Sequence, residues 1–278
     1  MNEIPNYPGW TPRSVSHTEQ IAPAPFERLL ALLDHAPTVV PDTLRPLAHW
    51  LYHLPQERQS DIGPDGHPRK GGFLPPVPAP RRMWAGGRID FIAALPVDAL
   101  ATRTSNVISI TVKDGRSGRL TFVTVRHEIS AEGEIRLVEE QDLVYREAPG
   151  ISPSAAPGLE PRPSDFTRSI DLDITALFRF SALTFNAHRI HYDLGYATRE
   201  EGYPGLVVHG PYQATLLIDH LISSFPAASI THFSFRGICP LIADAPFDLC
   251  ATRSGNTIDL WTRDSDGHEC MQAQAELR

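Results

Sequence analysis

Cysteine is scarce in this chain, and its scarcity excludes two kinds of site. The 278 residues include only three cysteines, Cys239, Cys250 and Cys270, and none belongs to a C-x-x-C pair. An odd number without that spacing supports neither a disulfide framework nor a thiolate zinc site. We expect plain buried thiols, since free cysteine is among the most buried residue types.

Long apolar runs and basic blocks are missing as well. No stretch approaches the length of a membrane-spanning helix, which needs about 18 apolar residues. The segment MNEIPNYPGW has neither the charged n-region nor the apolar h-region of a signal peptide. Lysine and arginine form no basic cluster larger than PRK or PRR, and the formal net charge is −8. A nucleic-acid surface needs a concentrated positive field. The sequence therefore predicts a cytoplasmic protein that binds neither nucleic acid nor membrane.

Proline, by contrast, is abundant. The 278 residues include 26 prolines, well above the usual share of about 5%. A length of 278 residues favours two modest domains. Periodic apolar residues give way to proline, serine and glycine between Arg146 and Phe166, which is typical of a linker. We therefore predict an N-terminal half at 1–150, a linker at 151–165 and a C-terminal half at 166–278.

Both halves read as helices followed by antiparallel strands. In the first half, apolar residues have helical spacing over Ala24–Ala36 and Thr43–Leu54, and they alternate with polar residues from Arg88 onward. In the second half, VVHGPYQATLLIDHLISSF predicts a helix that is apolar on nearly every side, and four strands follow it. This repeated order predicts an α+β protein in which one continuous sheet wraps two central helices.

A turn-rich stretch, Gln59–Gly87, separates the predicted helices of the first half from its strands. No helix or strand pattern fits it. A loop of this length inside a compact domain is usually functional or disordered. Because it contains aromatic and apolar residues as well as Arg81 and Arg82, we expect an ordered, lid-like wrap.

Polar side chains crowd one segment of the second half, FSALTFNAHRIHYD, directly behind an apolar run. The block YPGLVVHG, which ends at Gly210, follows it along the chain. The two blocks resemble the motifs of the MaoC-like hydratases and dehydratases, the type 2 enoyl-CoA hydratases. This resemblance implies a double hot-dog fold, with antiparallel sheets wrapped around central helices.

One position departs from the family pattern. His191 stands at the catalytic histidine and Asp193 at the trailing aspartate, but Asn186 stands where the family has its catalytic aspartate. His188 replaces an asparagine and Arg189 a proline. An asparagine cannot accept a proton as a carboxylate does. Either His191 performs both proton transfers, or Asp193 or a residue of the first half supplies the second group.

The implied reaction, addition of water to an enoyl thioester, accounts for these residue types. Histidine has an ordinary pKa near the operating pH, so we assign proton transfer to His191. Asn186 would orient the water. Backbone N–H groups at a helix N-terminus stabilise anionic charge, which makes Gly210 the candidate donor to the thioester oxygen. The segment from Asn186 to Asp193 should therefore overhang the start of the helix near Gly210. Possible supporting residues are Asp193, His188 and His209.

The first-half sequence HPRKGGFLPPVPAPRRMWAGGRIDF resembles the N-terminal half of one subgroup of this family. That subgroup contains itaconyl-CoA and mesaconyl-C4-CoA hydratases and 3-hydroxyacyl-thioester dehydratases. The resemblance implies a branched dicarboxylic enoyl-CoA substrate, hydrated without a metal or organic cofactor. Arg81, Arg82 or Arg189 would bind its distal carboxylate or the CoA. A homodimer is expected, since hot-dog proteins commonly pair their sheets.

Other interpretations of the same residues stay open. A 3-hydroxyacyl-thioester dehydratase of fatty-acid or polyketide type would use the same site. The missing aspartate also fits a non-catalytic acyl-thioester-binding module, and a thioesterase would release free thiol. His188 and His191 could ligate a metal, although no third ligand follows in a recognised pattern.

Overall fold

The computed structural model describes residue 7 and residues 9–36, 41–115, 118–146 and 162–278. Residues 151–161 of the predicted linker lie outside this part of the chain. Its helices are α1 (Pro23–Leu32), α2 (Ile174–Leu183), α3 (Leu194–Arg199) and α4 (Gly210–Ser224). Its strands are β1 (Arg13–Gln20), β2 (Arg81–Phe91), β3 (Leu100–Gly115), β4 (Gly118–Ala131), β5 (Glu134–Arg146), β6 (Phe166–Ile170), β7 (Ile230–Gly237), β8 (Phe247–Ser254), β9 (Thr257–Arg263) and β10 (Glu269–Leu277).

These strands form one antiparallel sheet in the order β1-β3-β4-β5-β2-β7-β10-β9-β8-β6. Five strands from each half of the sequence lie side by side, and β2 pairs with β7 where they meet, with Gly86 opposite Arg236. The backbones approach closely at this seam, because a Cβ on Gly86 would lie 2.5 Å from the carbonyl oxygen of Phe235. The prediction of one continuous sheet is confirmed.

Helix α4 is enclosed by the sheet of the second half. Its residues from Tyr212 to Leu221 are all buried, and it packs against β8, β9 and β10. The polar residues on the helix are paired: Thr262 Oγ1 donates to Gln213 Oε1 at 2.8 Å, and Arg168 Nη2 donates to Asp219 Oδ2 at 2.9 Å. An all-round apolar helix with satisfied polar groups is the central helix that the sequence predicted.

The helical elements of the first half are shorter. Helix α1 buries Phe26 and Leu29 and packs mainly against α2 and a 3-10 turn at Ala48–Leu51. The prediction of an α-helix over Thr43–Leu54 is wrong, because only that turn forms. Leu47 has a φ of 69°, a left-handed conformation that no α-helix continues through.

The predicted loop Gln59–Gly87 ends earlier than expected, because β2 begins at Arg81. The sequence RRMWAGG lacks the alternation of a half-exposed strand, and its glycines favour turns. The segment is a strand because β5 pairs with it along its length and β7 pairs with its second half. Tertiary pairing here overrides local preference.

The three cysteines are free thiols, with Cys250 and Cys270 buried and Cys239 half-buried. The sulfur atoms of Cys239 and Cys270 lie 3.5 Å apart. Among the described residues, no helix is long and apolar enough to cross a membrane.

Candidate active site

The motif of the second half folds into a tight turn between α2 and α3. Phe185 takes a φ of 49° where α2 ends, and the backbone N–H of Asn186 donates to Ser181 O at 2.8 Å. The side-chain Oδ1 of Asn186 accepts the backbone N–H of His188 at 3.0 Å. The Oδ1 atom of Asn186 therefore stabilises the turn, and its Nδ2 group is the part of the amide that can donate to a substrate or a water molecule.

His191 lies in a short 3-10 turn, and only 6% of it is exposed. Its Nδ1 is 2.7 Å from the carbonyl oxygen of Val207, which can only accept, so Nδ1 carries the proton. Burial, reinforced by the neighbouring His188, lowers the pKa of His191 to about 3. The ring is therefore neutral near pH 7, and its Nε2 lone pair is available as a base.

His209 stands directly before α4 and stacks on His191, with ring centroids 3.6 Å apart. Its Nε2 contacts Ser181 Oγ at 2.8 Å, and its buried Nδ1 has no hydrogen-bond partner among the described residues. Burial holds the pKa of His209 well below its ordinary value. The ring makes no side-chain cap for α4 and instead fixes the motif over the start of that helix. The expected overhang is present.

Two further histidines extend this stack toward the surface. His188 lies 5.5 Å from His191 between ring centroids, and His67 of the first-half loop lies 4.2 Å from His188. Burial is the main cause of a lowered pKa in both rings, and the pKa of His188 falls to about 3. We call His67, His188, His191 and His209 the histidine row.

His67 is held by an acidic neighbour, Asp65. Asp65 Oδ2 is 3.1 Å from His67 Nδ1, and its Oδ1 accepts the backbone N–H of His67 at 3.0 Å. These bonds outweigh burial and hold the pKa of Asp65 below its ordinary value. Sequence reasoning missed both residues. Both residues belong to a DGH triplet in a loop that was expected to be ordered, but the sequence does not indicate which residue of that loop contacts the motif.

Gly210 is the first residue of α4, so Pro211 is the second rather than the first helical residue. The first N–H groups of a helix have no intrahelical acceptor, and they lie at the positive end of its dipole. A Cβ on Gly210 would touch Met271 Cε at 3.8 Å, an ordinary contact. Glycine is therefore not required by packing here. The backbone N–H of Gly210 remains the candidate oxyanion donor.

The three candidate arginines have different surroundings. Arg189 donates to Asp193 Oδ2 from Nε at 3.0 Å and from Nη2 at 2.6 Å. Arg81 pairs with Glu201 at 2.9 Å. Within the described ranges, no carboxylate lies at ion-pair distance from Arg82. Its charge nevertheless contributes, after burial, to the lowered pKa values of His67 and His188.

Asp193 serves the local loop. Besides Arg189, its Oδ1 accepts the backbone N–H of Tyr196 at 3.0 Å and so caps α3. Backbone and arginine hydrogen bonds lower the pKa of its carboxyl group. Asp193 thus has the contacts of a positioning residue, and among the described residues its side-chain hydrogen bonds go to Arg189 and Tyr196 and not to His191.

A second set of potential metal ligands lies in the first half. Ligand atoms of His17, Glu19 and His53 lie within 4.8 Å of one another. The Arg103 guanidinium donates to the carbonyl oxygen of His53 at 2.7 Å. Burial and then the Arg103 charge lower the pKa of His53 to about 4. That fixed positive charge opposes a divalent cation at this place.

A groove of about 840 Å³ crosses the sheet near the β2–β7 seam. Its lining includes Arg88, Arg236 and Gln272. No member of the histidine row lines it. The candidate active site is therefore separate from this groove.

Comparison with solved structures identifies the fold. The chain has a TM-score of 0.68 to a MaoC-like dehydratase from Phytophthora capsici, at 12% identity over 96% of each chain. The predicted double hot-dog fold of the MaoC-like class is confirmed.

Comparison of sequences gives the family. A family model described as hydroxyacyl-thioester dehydratase type 2 matches residues 47–243, and the chain belongs to that family. It is 49% identical over 235 residues to mesaconyl-C(4)-CoA hydratase of Chloroflexus aurantiacus, covering 84% of each chain. It is 27% identical over 281 residues to the mitochondrial hydroxyacyl-thioester dehydratase type 2 of Schizosaccharomyces pombe, covering 88% of this chain and 93% of that protein.

Proposed function

We propose that this protein is a hydro-lyase that reversibly hydrates a branched dicarboxylic enoyl-CoA, with mesaconyl-C4-CoA giving citramalyl-CoA. The observation that carries the proposal is the geometry of His191. Its Nδ1 donates a proton to Val207 O, so Nε2 carries a free lone pair, and its ring stacks on His209, the residue directly before the N-terminus of α4. The relative that is 49% identical is named for the same reaction.

The chemistry follows from these positions. The thioester oxygen accepts the backbone N–H of Gly210, where the helix dipole stabilises enolate charge. Asn186 orients a water molecule, and Nε2 of His191 removes its proton as the oxygen bonds to the β carbon. The electron pair of the double bond moves toward the thioester, and a second group delivers a proton to the α carbon. Dehydration reverses each step, and no metal or organic cofactor takes part.

The dicarboxylic substrate is favoured by Arg82. In mesaconyl-C4-CoA the free carboxylate is attached to the β carbon, so its cationic partner must lie beside the proton-transfer residues. Arg82 lies close enough to His67 and His188 to influence their pKa values. Arg81 and Arg189 are already paired with carboxylates, which leaves Arg82 as the candidate for the substrate.

Dehydration of a 3-hydroxyacyl thioester of fatty-acid or polyketide type is the second candidate. It is favoured by the family description and by the Schizosaccharomyces pombe relative. The same residues would serve it, since dehydration is the reverse of hydration. The two functions differ in whether the β carbon carries a carboxylate.

Three finer statements belong to the same proposal. Itaconyl-CoA, the isomer of mesaconyl-C4-CoA with a terminal methylene group, is proposed as a further substrate. A homodimer is expected from the fold, and light scattering of the purified protein measures it directly. We also propose a cytoplasmic location, which fractionation of the source cells measures.

A substrate panel tests the proposal. Mesaconyl-C4-CoA, itaconyl-CoA, crotonyl-CoA and 3-hydroxybutyryl-CoA are compared under one set of conditions, with loss or gain of the enoyl thioester as the readout. We expect the highest kcat/KM for a dicarboxylic substrate. A preference for the two monocarboxylic thioesters would establish the second candidate, binding without turnover would indicate the non-catalytic module, and release of free thiol would indicate a thioesterase.

A further inference from the structure

The first-half loop is locked to the motif at one point, Gly66. A Cβ on Gly66 would lie 1.7 Å from the carbonyl oxygen of Ala187, and its φ of +93° is one that other residues rarely adopt. The backbone N–H of Arg189 donates to Asp65 O at 3.0 Å, and Arg189 Nη1 donates to Pro64 O at 3.1 Å. The neighbours of Gly66 are therefore fixed relative to the motif.

This contact brings an aspartate–histidine pair to the end of the histidine row. The pairing of Asp65 with Nδ1 of His67 orients the ring and leaves its Nε2 as the nitrogen that can exchange a proton. About a fifth of the His67 side chain is exposed, at 22%, whereas His191 is almost closed to solvent. The row therefore runs from an accessible ring to an enclosed one.

Asp65 is also the carboxylate that remains for proton transfer. Asn186 replaces the acid that the family motif has at that position. Asp193 is committed to Arg189 and to the cap of α3. Glu201 pairs with Arg81 and contacts the hydroxyl group of Tyr196 at 3.2 Å. Among the described residues of this region, Asp65 is the acid in contact with the histidine row.

We propose that His67, positioned by Asp65, is the second proton-transfer residue of the site and replaces the carboxylate missing at position 186. This inference rests on the proposed hydration. In that reaction His191 Nε2 takes a proton from water while protonated His67 Nε2 gives one to the α carbon. When the product leaves and the site opens to water, His191 releases its excess proton and the more exposed His67 takes one up, so that each turnover restores both rings. In dehydration the two rings exchange roles.

The pair suits the acid role for an electrostatic reason. Two nearby imidazoles do not both hold a proton easily, because the like charges repel. The Asp65 carboxylate favours protonation of His67, whereas His191 contacts a neutral carbonyl group. Burial lowers the pKa of both rings, but the Asp65 carboxylate opposes this shift at His67. Of the two rings, His67 therefore holds a proton more readily, and His191 is the one that acts as the base.

Variants of the pair test the inference. We expect His67→Gln to lower kcat by about 10²–10³, within the range for a positioned proton-transfer group, with KM changed much less. The pH profile of the wild-type kcat should be bell-shaped. The His67→Gln variant should keep the low-pH limb, which reports His191 as the base. It should lose the high-pH limb, which reports His67 as the acid. Asp65→Asn should move that high-pH limb to lower pH, because His67 loses the charge that favours its protonated form.

A matched Asp–His pair on the surface provides the control. Asp90 Oδ1 lies 2.6 Å from His232 Nδ1, and the pair is remote from the row, on β2 and β7. We expect His232→Gln and Asp90→Asn to leave kcat and both pH limbs at wild-type values. If His67→Gln lowers the melting temperature, His67→Ala supplied with free imidazole separates folding from chemistry, because only a lost proton-transfer group is rescued.

The outcomes separate this inference from the proposed function. Wild-type hydration together with a His67→Gln variant that retains kcat within about threefold and an unchanged high-pH limb would overturn the role of His67 alone. Failure of imidazole to raise the activity of His67→Ala would do the same. Absence of hydration and dehydration in the wild type and in His232→Gln would overturn both proposals together.

Discussion

Among the described residues, two largely buried polar clusters that contain histidine differ in their hydrogen bonding. In the first half, Glu139 accepts from Trp50 Nε1 at 2.9 Å and from Gln141 Nε2 at 2.9 Å, and it contacts His49 Nε2 at 3.1 Å. In the histidine row, Nδ1 of His209 has no hydrogen-bond partner among the residues that the structure describes, and Nδ1 of His191 bonds to Val207 O. We call His49, Trp50, Glu139 and Gln141 the Glu139 cluster.

The comparison shows that burial of a histidine does not by itself indicate a reactive site. The Glu139 cluster resembles an ordinary structural network, in which each polar group gains a partner in exchange for lost hydration. Among the described residues, the histidine row leaves one buried ring nitrogen, Nδ1 of His209, without a partner, which costs free energy unless a substrate or water uses it. The two clusters should therefore respond in opposite ways to mutation.

The largest effect is expected at His191, the base of the row. His191→Ala should lower kcat by about 10²–10⁴, the usual contribution of a positioned proton-transfer residue. Far-ultraviolet circular dichroism and the melting temperature should stay close to wild type. A variant with near-normal turnover would show that the histidine row is not the active site.

The Glu139 cluster should show the reverse pattern. Glu139→Ala leaves His49 and the Trp50 indole N–H buried without an acceptor, and it should reduce the free energy of unfolding by about 3–5 kcal/mol. The kcat of the folded fraction should remain near wild type. Urea unfolding measures the first quantity and initial rates the second, with the exposed Glu276→Ala as control.

The pH dependence of stability sharpens this prediction. Burial would raise the pKa of Glu139, but the bonds and charge of His49 outweigh burial and lower the pKa to about 2 from an ordinary 4.5. A depressed folded-state pKa contributes stability above the unfolded value and loses it as pH falls toward the folded one. The difference in unfolding free energy between wild type and Glu139→Ala should therefore shrink between pH 4.5 and pH 2. An unchanged difference over that range would contradict the charged pairing.

Arg82 and Arg81 are neighbours on β2 whose partners differ, so they test substrate recognition. Arg82→Ala should weaken kcat/KM for a dicarboxylic substrate by about 1.5–3 kcal/mol, the contribution of a hydrogen bond to a charged group. Crotonyl-CoA should be little affected. Arg81→Ala breaks the pair with Glu201 and should affect both substrates alike. Equal losses from Arg82→Ala on the two substrates would assign Arg82 to structure or to CoA binding.

The sequence predicted the sheet, helix α4 and the position of the motif over the start of that helix. These depend on local patterns, namely alternation, an all-round apolar helix and a motif of fixed spacing. It did not predict β2 from Arg81, because that strand forms through pairing with β5 and β7. It also missed Asp65 and His67. The contact of His67 with His188 spans more than a hundred residues and depends on how a loop without periodicity is folded.

The smallest effect is expected from Asn186→Asp. This substitution tests both the carboxylate missing at position 186 and the proposed role of His67. An aspartate would still accept the backbone N–H of His188, as Asn186 Oδ1 does, so the turn should persist. Its charge would favour protonation of nearby rings. The variant should keep kcat within about tenfold of wild type, a change of about 1.4 kcal/mol in the barrier, and gain an additional acidic limb in its pH profile. Complete loss of activity would show that the amide N–H of Asn186 is essential.

The same substitution becomes more informative in a second background. If Asp65 and His67 replace the carboxylate missing at position 186, then an aspartate placed there should make His67 less necessary. The double variant Asn186→Asp with His67→Gln should therefore be more active than His67→Gln alone, although Asn186→Asp gives no gain in the wild-type background. Such a coupling between positions that are far apart in sequence but lie on contacting segments is what a double-mutant cycle measures. Strictly additive effects would mean that the two residues serve separate steps, and the loop histidine would then not stand in for the family aspartate.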